Sequence, residues 1–431
     1  MPESILSFYM LNDREYAYRA GLLFCEDVSL EQIAAEHGTP TYVYSRLALE
    51  RRFQAYEHAL RDLPHRVCYA VKANSNIAIL QTLARRGAGF DIVSGGELYR
   101  VLAAGASAKD VVFSGVGKTE AEIRYALGEQ IHSFNCESEA ELSLISEIAV
   151  QLGTCASVAL RVNPDVDAVT HPYISTGLRE HKFGTDIAEV ERLYERAMGL
   201  PGLIPEGVSC HIGSQLLDVG PMLEAAGKVL NLVERLRTAG VPIRYLDLGG
   251  GLGVPYRPSD RSIAVTDLVA GLQEMLHGRN LQLMLEPGRS IVAESGVLLT
   301  RVLLAKQNGS KTFVIVDAAM NDLIRPTLYQ AHHEISPVRK REGAATIEAD
   351  IVGPVCETGD FFARSRELPA PEPGDLLAIR TAGAYGFVLS SNYNSRPRVS
   401  ELIVSGETVH VARERESLED LVRGEHLLPV T

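Results

Sequence analysis

The stretch RVCYAVKAN, residues 66–74, carries the run VCYAV and then places a lysine, Lys72, at that run's own tip. A short apolar run with a polar end reads as a strand buried on both faces. The lysine at its end either snorkels to solvent or is aimed at something. Comparable runs recur at GFDIV (89–93), VVFS (111–114), IHSFN (131–135), SVALRV (157–162), GVSCHI (207–212), YLDL (245–248) and LQLMLE (281–286), eight in all. Between them lie stretches with helical spacing, such as NIAILQTLARRG, GGELYRVLAAGA, ESEAELSLISEIAVQLG and MLEAAGKVLNLVERLRTAG. Strand and helix alternating eight times predicts an α/β fold, a (β/α)8 TIM-like barrel over residues 37–299. A doubly wound open sheet is the competing arrangement.

After residue 300 the rhythm changes to VLLTRVLLAKQ, KTFVIVDAA, ATIEADIVG and GDLLAIRT, then to a hairpin pattern in SELIVSGETVHVARE. Residues 1–36 and 300–431 are therefore expected to form a second, mostly β domain. ELPAPEPGD reads as a loop within it, and SLEDLVRGE as a short closing helix capped by Ser417.

Composition narrows the partners. The 431 residues carry 55 acidic against 42 basic side chains, a formal charge of -13 that repels nucleic acid and anionic membranes. Six scattered cysteines without a CxxC pair read as reduced thiols, with neither a disulfide framework nor a metal site. The N-terminus lacks the layout of a signal peptide, and no window has the apolar length of a membrane span, so a cytoplasmic location is expected.

In a barrel the C-terminal strand ends build the active site. Those positions hold Lys72, Asp91, Ser94, Ser114, Asn135, Arg161, Asn163, His211, Ser214, Gly249 to Gly251, Glu286 and Arg289. DLGGGLGVPY (247–256) follows the seventh strand, where barrels hold phosphate on backbone N–H groups, although a tight turn also explains its glycines. In CHIGSQ, His211 and Ser214 read as ligand contacts or as satisfied core polar residues. In EPGRS, Glu286 and Arg289 read either as an exposed salt bridge or as a carboxylate for a heteroaromatic nitrogen with a nearby cation. An amine, a phosphate loop and an acid together point to pyridoxal 5'-phosphate, with Lys72 as its Schiff-base lysine. A cofactor-free Schiff-base aldolase also uses a barrel lysine, but it has no need of the whole set.

The motifs YAVKAN, GFDIVSGGE, HIGSQ, DLGGGLG, LEPGRSIV, RPTLYQAHHEISPV, GPVCETGD and AGAYGFVLSSNYNSRPR stand in this order. With them the chain resembles the barrel-type, fold type III pyridoxal-phosphate-dependent amino-acid decarboxylases from about residue 20 to its end. The resemblance implies an alanine racemase-like barrel with a C-terminal β domain, and a homodimer with active sites at the subunit interface. It implies cofactor contacts from Lys72, Asp91, His211, Ser214, Gly250, Gly251, Glu286, Pro287, Gly288, Arg289 and Tyr385. His211 is expected to stack on the ring and Glu286 to hold its nitrogen. Arg289, Arg325 and Tyr329 are expected to grip substrate carboxylates, Glu357 a distal ammonium, and Tyr385 the substrate as well as the cofactor. Cys356 is expected as the proton donor, so the catalytic set is Lys72, His211, Glu286 and Cys356. The implied reaction is decarboxylation of meso-2,6-diaminopimelate to L-lysine. Its rivals are a sister decarboxylase acting on another carboxylated or basic amino acid and a non-catalytic homologue serving as a binding protein.

Overall fold

A computed structural model describes residues 15–166, 182–187 and 189–429, so residues 1–14 of the segment expected in the β domain lie outside it. The chain divides into two compact units, Leu49–Ile291 and Met1–Ala48 with Val292–Thr431.

In the first unit all eight expected runs are strands: His65–Ala70, Gly89–Ile92, Val111–Phe113, Ser133–Cys136, Ala156–Asn163, Leu203–Cys210, Tyr245–Asp247 and Gln282–Leu285. They pair in parallel and in chain order, and the eighth returns to the first through Leu283↔His65. That closure makes a barrel and excludes the open sheet. Four of the helices begin where the sequence supplies a side-chain oxygen: Asn76, Ser94, Thr119 and Ser138 each accept a first-turn backbone N–H. Each such cap is worth about 1 kcal/mol.

The barrel interior is solid. Cys68, Val112, Ala159 and Tyr245, from alternate strands, form a buried layer with Met284, the arrangement in which odd strands fill one level. Gly207 on the sixth strand makes room for it, since a Cβ there would lie 2.0 Å from Tyr245 Cζ. With this layer filled, chemistry is confined to the strand ends.

The second unit is mostly β, as expected. Its sheet runs Phe361–Pro369, Thr346–Val352, Lys311–Val316, Gly296–Asn308, Thr41–Ser45, Ser400–Ser405, Thr408–Arg413, with Leu376–Ile379 also on Gly296–Asn308. Val43, Val297, Leu299 and Leu402 anchor its buried core together with Leu23 and Ile33. The segment ELPAPEPGD is not wholly loop. The strand continues to Pro369, which is tolerated because it is an edge strand. Ser417 caps Leu418–Leu421 through a capping box. Among the described residues no helix is long and apolar enough to cross a membrane.

Candidate active site

The first barrel strand stops at Ala70, one residue before the apolar run ends, because Val71–Ala73 folds into a 3-10 turn. The turn carries Lys72, whose Nζ donates to Asp91 Oδ2 at 2.8 Å. Asp91 belongs to the second strand and is completely buried. Its other oxygen, Oδ1, is buried without a hydrogen-bond partner. Such an atom marks a place where a donor is expected.

Across the barrel mouth lies an acid cluster. Glu286 follows the eighth strand, and its backbone N–H donates to Gly249 O at 2.8 Å. Asn135 from the fourth strand donates through Nδ2 toward Glu286 Oε1 at 3.2 Å and Asp247 Oδ2 at 3.0 Å. Burial, then the charges of Asp247 and Asp91, push the Glu286 carboxyl well above its usual range, against the opposing influence of Lys72. Burial also raises Asp247, while hydrogen bonds from Glu286, Asn135 and the Gly249 N–H oppose the rise. His211, just past the sixth strand, is held neutral: burial, then the cations Arg161 and Lys72, push its imidazole well below the ordinary range. Lys72, Ser114, Asn135, Arg161, His211 and Glu286 line one cavity of about 430 Å³, a size suited to a cofactor or small ligand.

The glycines are required by close approach. A Cβ on Gly250 would lie 2.2 Å from Glu286 O, and one on Gly251 (φ +118°) 2.6 Å from Gly213 O. The EPGR turn is fastened to the lysine's own strand: Ala70 N–H donates to Pro287 O at 3.1 Å, and a Cβ on Gly288 would meet Ala73 Cβ at 2.9 Å. Arg289 is buried and does not pair with Glu286. Its guanidinium donates to Tyr256 OH at 2.8 Å and to Ser214 Oγ at 3.1 Å. The exposed salt-bridge reading of EPGRS is therefore wrong, because both side chains are enclosed.

The remaining sequence-derived residues belong to the β unit. Arg325–Tyr329 is a helical turn, whose four-residue spacing puts Arg325 and Tyr329 on one face. Arg325 is buried with a guanidinium nitrogen 2.8 Å from His333 Nε2, and Tyr329 is half-buried. Cys356 and Glu357 are exposed on a loop held by Asp360, whose carboxylate accepts from Met320 N and Val355 N, both at 2.7 Å. Cys356 N–H donates to Asn394 Oδ1 at 2.9 Å. Tyr385 has φ +54°, a conformation costly for a large side chain and concentrated at functional sites.

Two residues of the site carry no assignment from sequence. Asp247 is hidden inside the apolar run YLDL, where only its inward register could have flagged it. Lys118 reads as a loop lysine in GVGKTE, yet its side chain is 1 % exposed and donates to Gly115 O, Asn135 O and Glu141 Oε1.

Residues 46–293 match the family model of the pyridoxal-dependent decarboxylases, pyridoxal binding domain. The chain is 57 % identical over 414 residues to the diaminopimelate decarboxylase of Pseudomonas aeruginosa, covering 96 % of this chain and 99 % of that one. It is 50 % identical over 405 residues to that of Aquifex aeolicus, covering 94 % and 96 %. Among solved structures, diaminopimelate decarboxylase from M. jannaschii in co-complex with L-lysine superposes with a TM-score of 0.92 at 38 % identity, covering 97 % of this chain and 99 % of that one.

Proposed function

This chain belongs to the pyridoxal-dependent decarboxylase family, among its diaminopimelate decarboxylases, and on that premise we infer that it converts meso-2,6-diaminopimelate to L-lysine and carbon dioxide. The structural observation that carries the reading is one barrel-mouth cavity lined by both Lys72 and Glu286.

The residues present fit pyridoxal 5'-phosphate: an amine for its carbonyl, a buried acid for its ring nitrogen, glycines that no side chain could replace, and an unpartnered buried oxygen on Asp91. When bound, the cofactor supplies an electrophilic carbonyl and a ring that takes up the electron pair left by a departing carboxylate. Lys72 is the group that holds it, and Asp91 fixes the direction of Nζ. Glu286 sets the protonation of the ring nitrogen. His211, uncharged, offers a flat imidazole face that does not compete with that nitrogen for a proton. Gly250, Gly251, Ser214 and the Pro287–Gly288–Arg289 turn receive the phosphate end.

Substrate selection falls to Arg289, Arg325 and Tyr329. A planar guanidinium binds a carboxylate with two parallel hydrogen bonds, which a substrate with a distal carboxylate can use and a simple diamino acid cannot. Glu357 receives the distal ammonium, Tyr385 touches both cofactor and substrate, and Cys356 Sγ delivers the proton that replaces the lost carboxylate. Cys356 and Glu357 are assigned to the site of a partner chain in a homodimer, and their exposure supports that role. Six free cysteines suit a reducing, cytoplasmic compartment.

The test is carbon dioxide release by the cofactor-loaded protein from meso-diaminopimelate, L-lysine, L-ornithine and L-arginine side by side. Release from diaminopimelate alone, with L-lysine as product, is expected. Release from one of the other three instead would overturn the substrate reading.

A further inference from the structure

Two buried carboxyl groups converge on one amide. Asn135 Nδ2 lies within hydrogen-bond distance of Asp247 Oδ2 (3.0 Å), Glu286 Oε1 (3.2 Å) and Ser114 Oγ (3.1 Å). An amide nitrogen has two hydrogens, so it cannot serve all three. Asp247 is the better anchored acid. It is wholly buried, and its second oxygen accepts the Gly249 N–H at 2.8 Å. Glu286 has a long contact from the Ser114 hydroxyl, 3.4 Å, and a share of the amide, and its own hydrogen bond goes to Asp247. Lys72, whose charge favours ionised Glu286, sits on Asp91 at 2.8 Å. The thiols facing the pair, Cys68 and Cys210, are themselves pushed up by burial and then by the negative charge of Asp247. Two full negative charges this close and this dry are strongly disfavoured, and a single proton relieves them.

We propose that Asp247 is a positioning residue for Glu286: its fixed charge, clamped by Asn135, keeps one proton stored on the Glu286 carboxyl at the cavity wall. The proposal rests on the reading of Glu286 as the partner of a ring nitrogen. In that setting the Glu286 O–H bond breaks as the ring arrives and leaves its electron pair on the carboxylate. The nitrogen lone pair forms the new N–H bond. The acid then faces the cation it has just created, while Asp247 remains the anion it was throughout.

The test is infrared difference spectroscopy on the full chain, with and without pyridoxal 5'-phosphate. For the cofactor-free protein, wild type minus Glu286→Gln should show the carbonyl stretch of a protonated carboxyl that shifts in deuterium oxide. Asp247→Asn should diminish that band at a given pH, because burial still favours the neutral carboxyl but the neighbouring charge that adds to it is gone. Absence of the band in wild type, or an undiminished band in Asp247→Asn, would overturn the proposal. If Asp247→Asn does not fold, Asn135→Ala serves, because it removes the clamp but keeps the charge. There the band should persist at a shifted frequency, because losing a donor does not favour ionisation, and its disappearance would overturn the proposal. Cofactor addition to wild type tests the underlying reading separately. Disappearance of the band supports Glu286 as the ring partner, and persistence with cofactor bound refutes that role while leaving the Asp247 effect standing.

Discussion

Replacing Lys118 by methionine isolates the buried cation that fixes the acid cluster. Its ammonium ties together three elements: the Gly115 and Asn135 carbonyls, each at 2.8 Å, and Glu141 Oε1 at 2.6 Å. The pair is enclosed, with side-chain exposures of 1 % for Lys118 and 10 % for Glu141. Methionine fills the space of the stem but leaves a carboxylate facing an apolar group. Breaking a buried pair from one side costs about 3–5 kcal/mol. For a unit the size of the barrel, at roughly 2–4 °C per kcal/mol, the thermal midpoint should fall by roughly 6–20 °C. Glu141→Gln in the same background should recover part of the loss. It removes the stranded charge and keeps an acceptor for the Glu137 N–H, now 2.7 Å from Glu141 Oε2. A coupling of about 0.5–3 kcal/mol between the two sites is expected from a thermal-melt double-mutant cycle. Cofactor retention should fall as well, because Asn135 loses its anchor. A midpoint lowered by less than about 3 °C, or additivity within about 0.3 kcal/mol, would refute the buried-pair account.

Lys72→Ala should abolish borohydride-trappable attachment of pyridoxal phosphate; an adduct that survives would mean another lysine carries it. In the cofactor-free chain, Glu286 is raised above its unfolded value, so its contribution to stability is full below about pH 4.3 and is lost as pH rises through the folded value. The melting temperature of wild type should therefore decline relative to Glu286→Gln as pH increases from about 4, and a difference that is flat with pH would contradict the raised carboxyl. Cys356→Ala should slow turnover by at least about a hundredfold while cofactor remains bound. Mixing it with Lys72→Ala protein should restore some activity through hybrid dimers, and no recovery despite verified subunit exchange would argue for self-contained sites.

Sequence revealed the barrel because parallel strands covered on both faces must be apolar throughout, so each appears as a short run ending in a polar residue. Lys72, His211 and Glu286 were legible for the same reason: each interrupts such a run at its end. What stayed hidden depends on register rather than composition. Asn135 was visible as a strand-end amide, but its partners Asp247 and Glu286 lie 112 and 151 residues away in the chain, and nothing local announces them. Asp247 sits where period-two alternation turns it inward, yet three barrel residues are too few for that alternation to show. Lys118 looks like any loop lysine, and only the fold reveals that it is enclosed. EPGRS leaves two readings open in sequence, an exposed pair or a buried carboxylate, and the fold decides between them: the Pro-Gly turn sends Glu286 to Asn135 and Arg289 to Ser214 and Tyr256.

The charges of the barrel mouth explain why those two side chains must be kept apart. The cations Lys72 and Arg161 are bonded to Asp91 and Glu137, at 2.8 Å and 2.9 Å. His211 adds no charge. Glu286 and Asp247 are left as acids served by an amide, a backbone N–H and the Ser114 hydroxyl, with no cation bonded to either among the described residues. An arginine bonded to Glu286 would hold it ionised and remove the proton store. Such an arginine would also repel a protonated ring nitrogen. Arg289 instead donates to the hydroxyls of Tyr256 and Ser214, which orient its guanidinium away from Glu286. Hydroxyl contacts for the arginine and an amide contact for the acid thus keep the two side chains of one Pro-Gly turn apart.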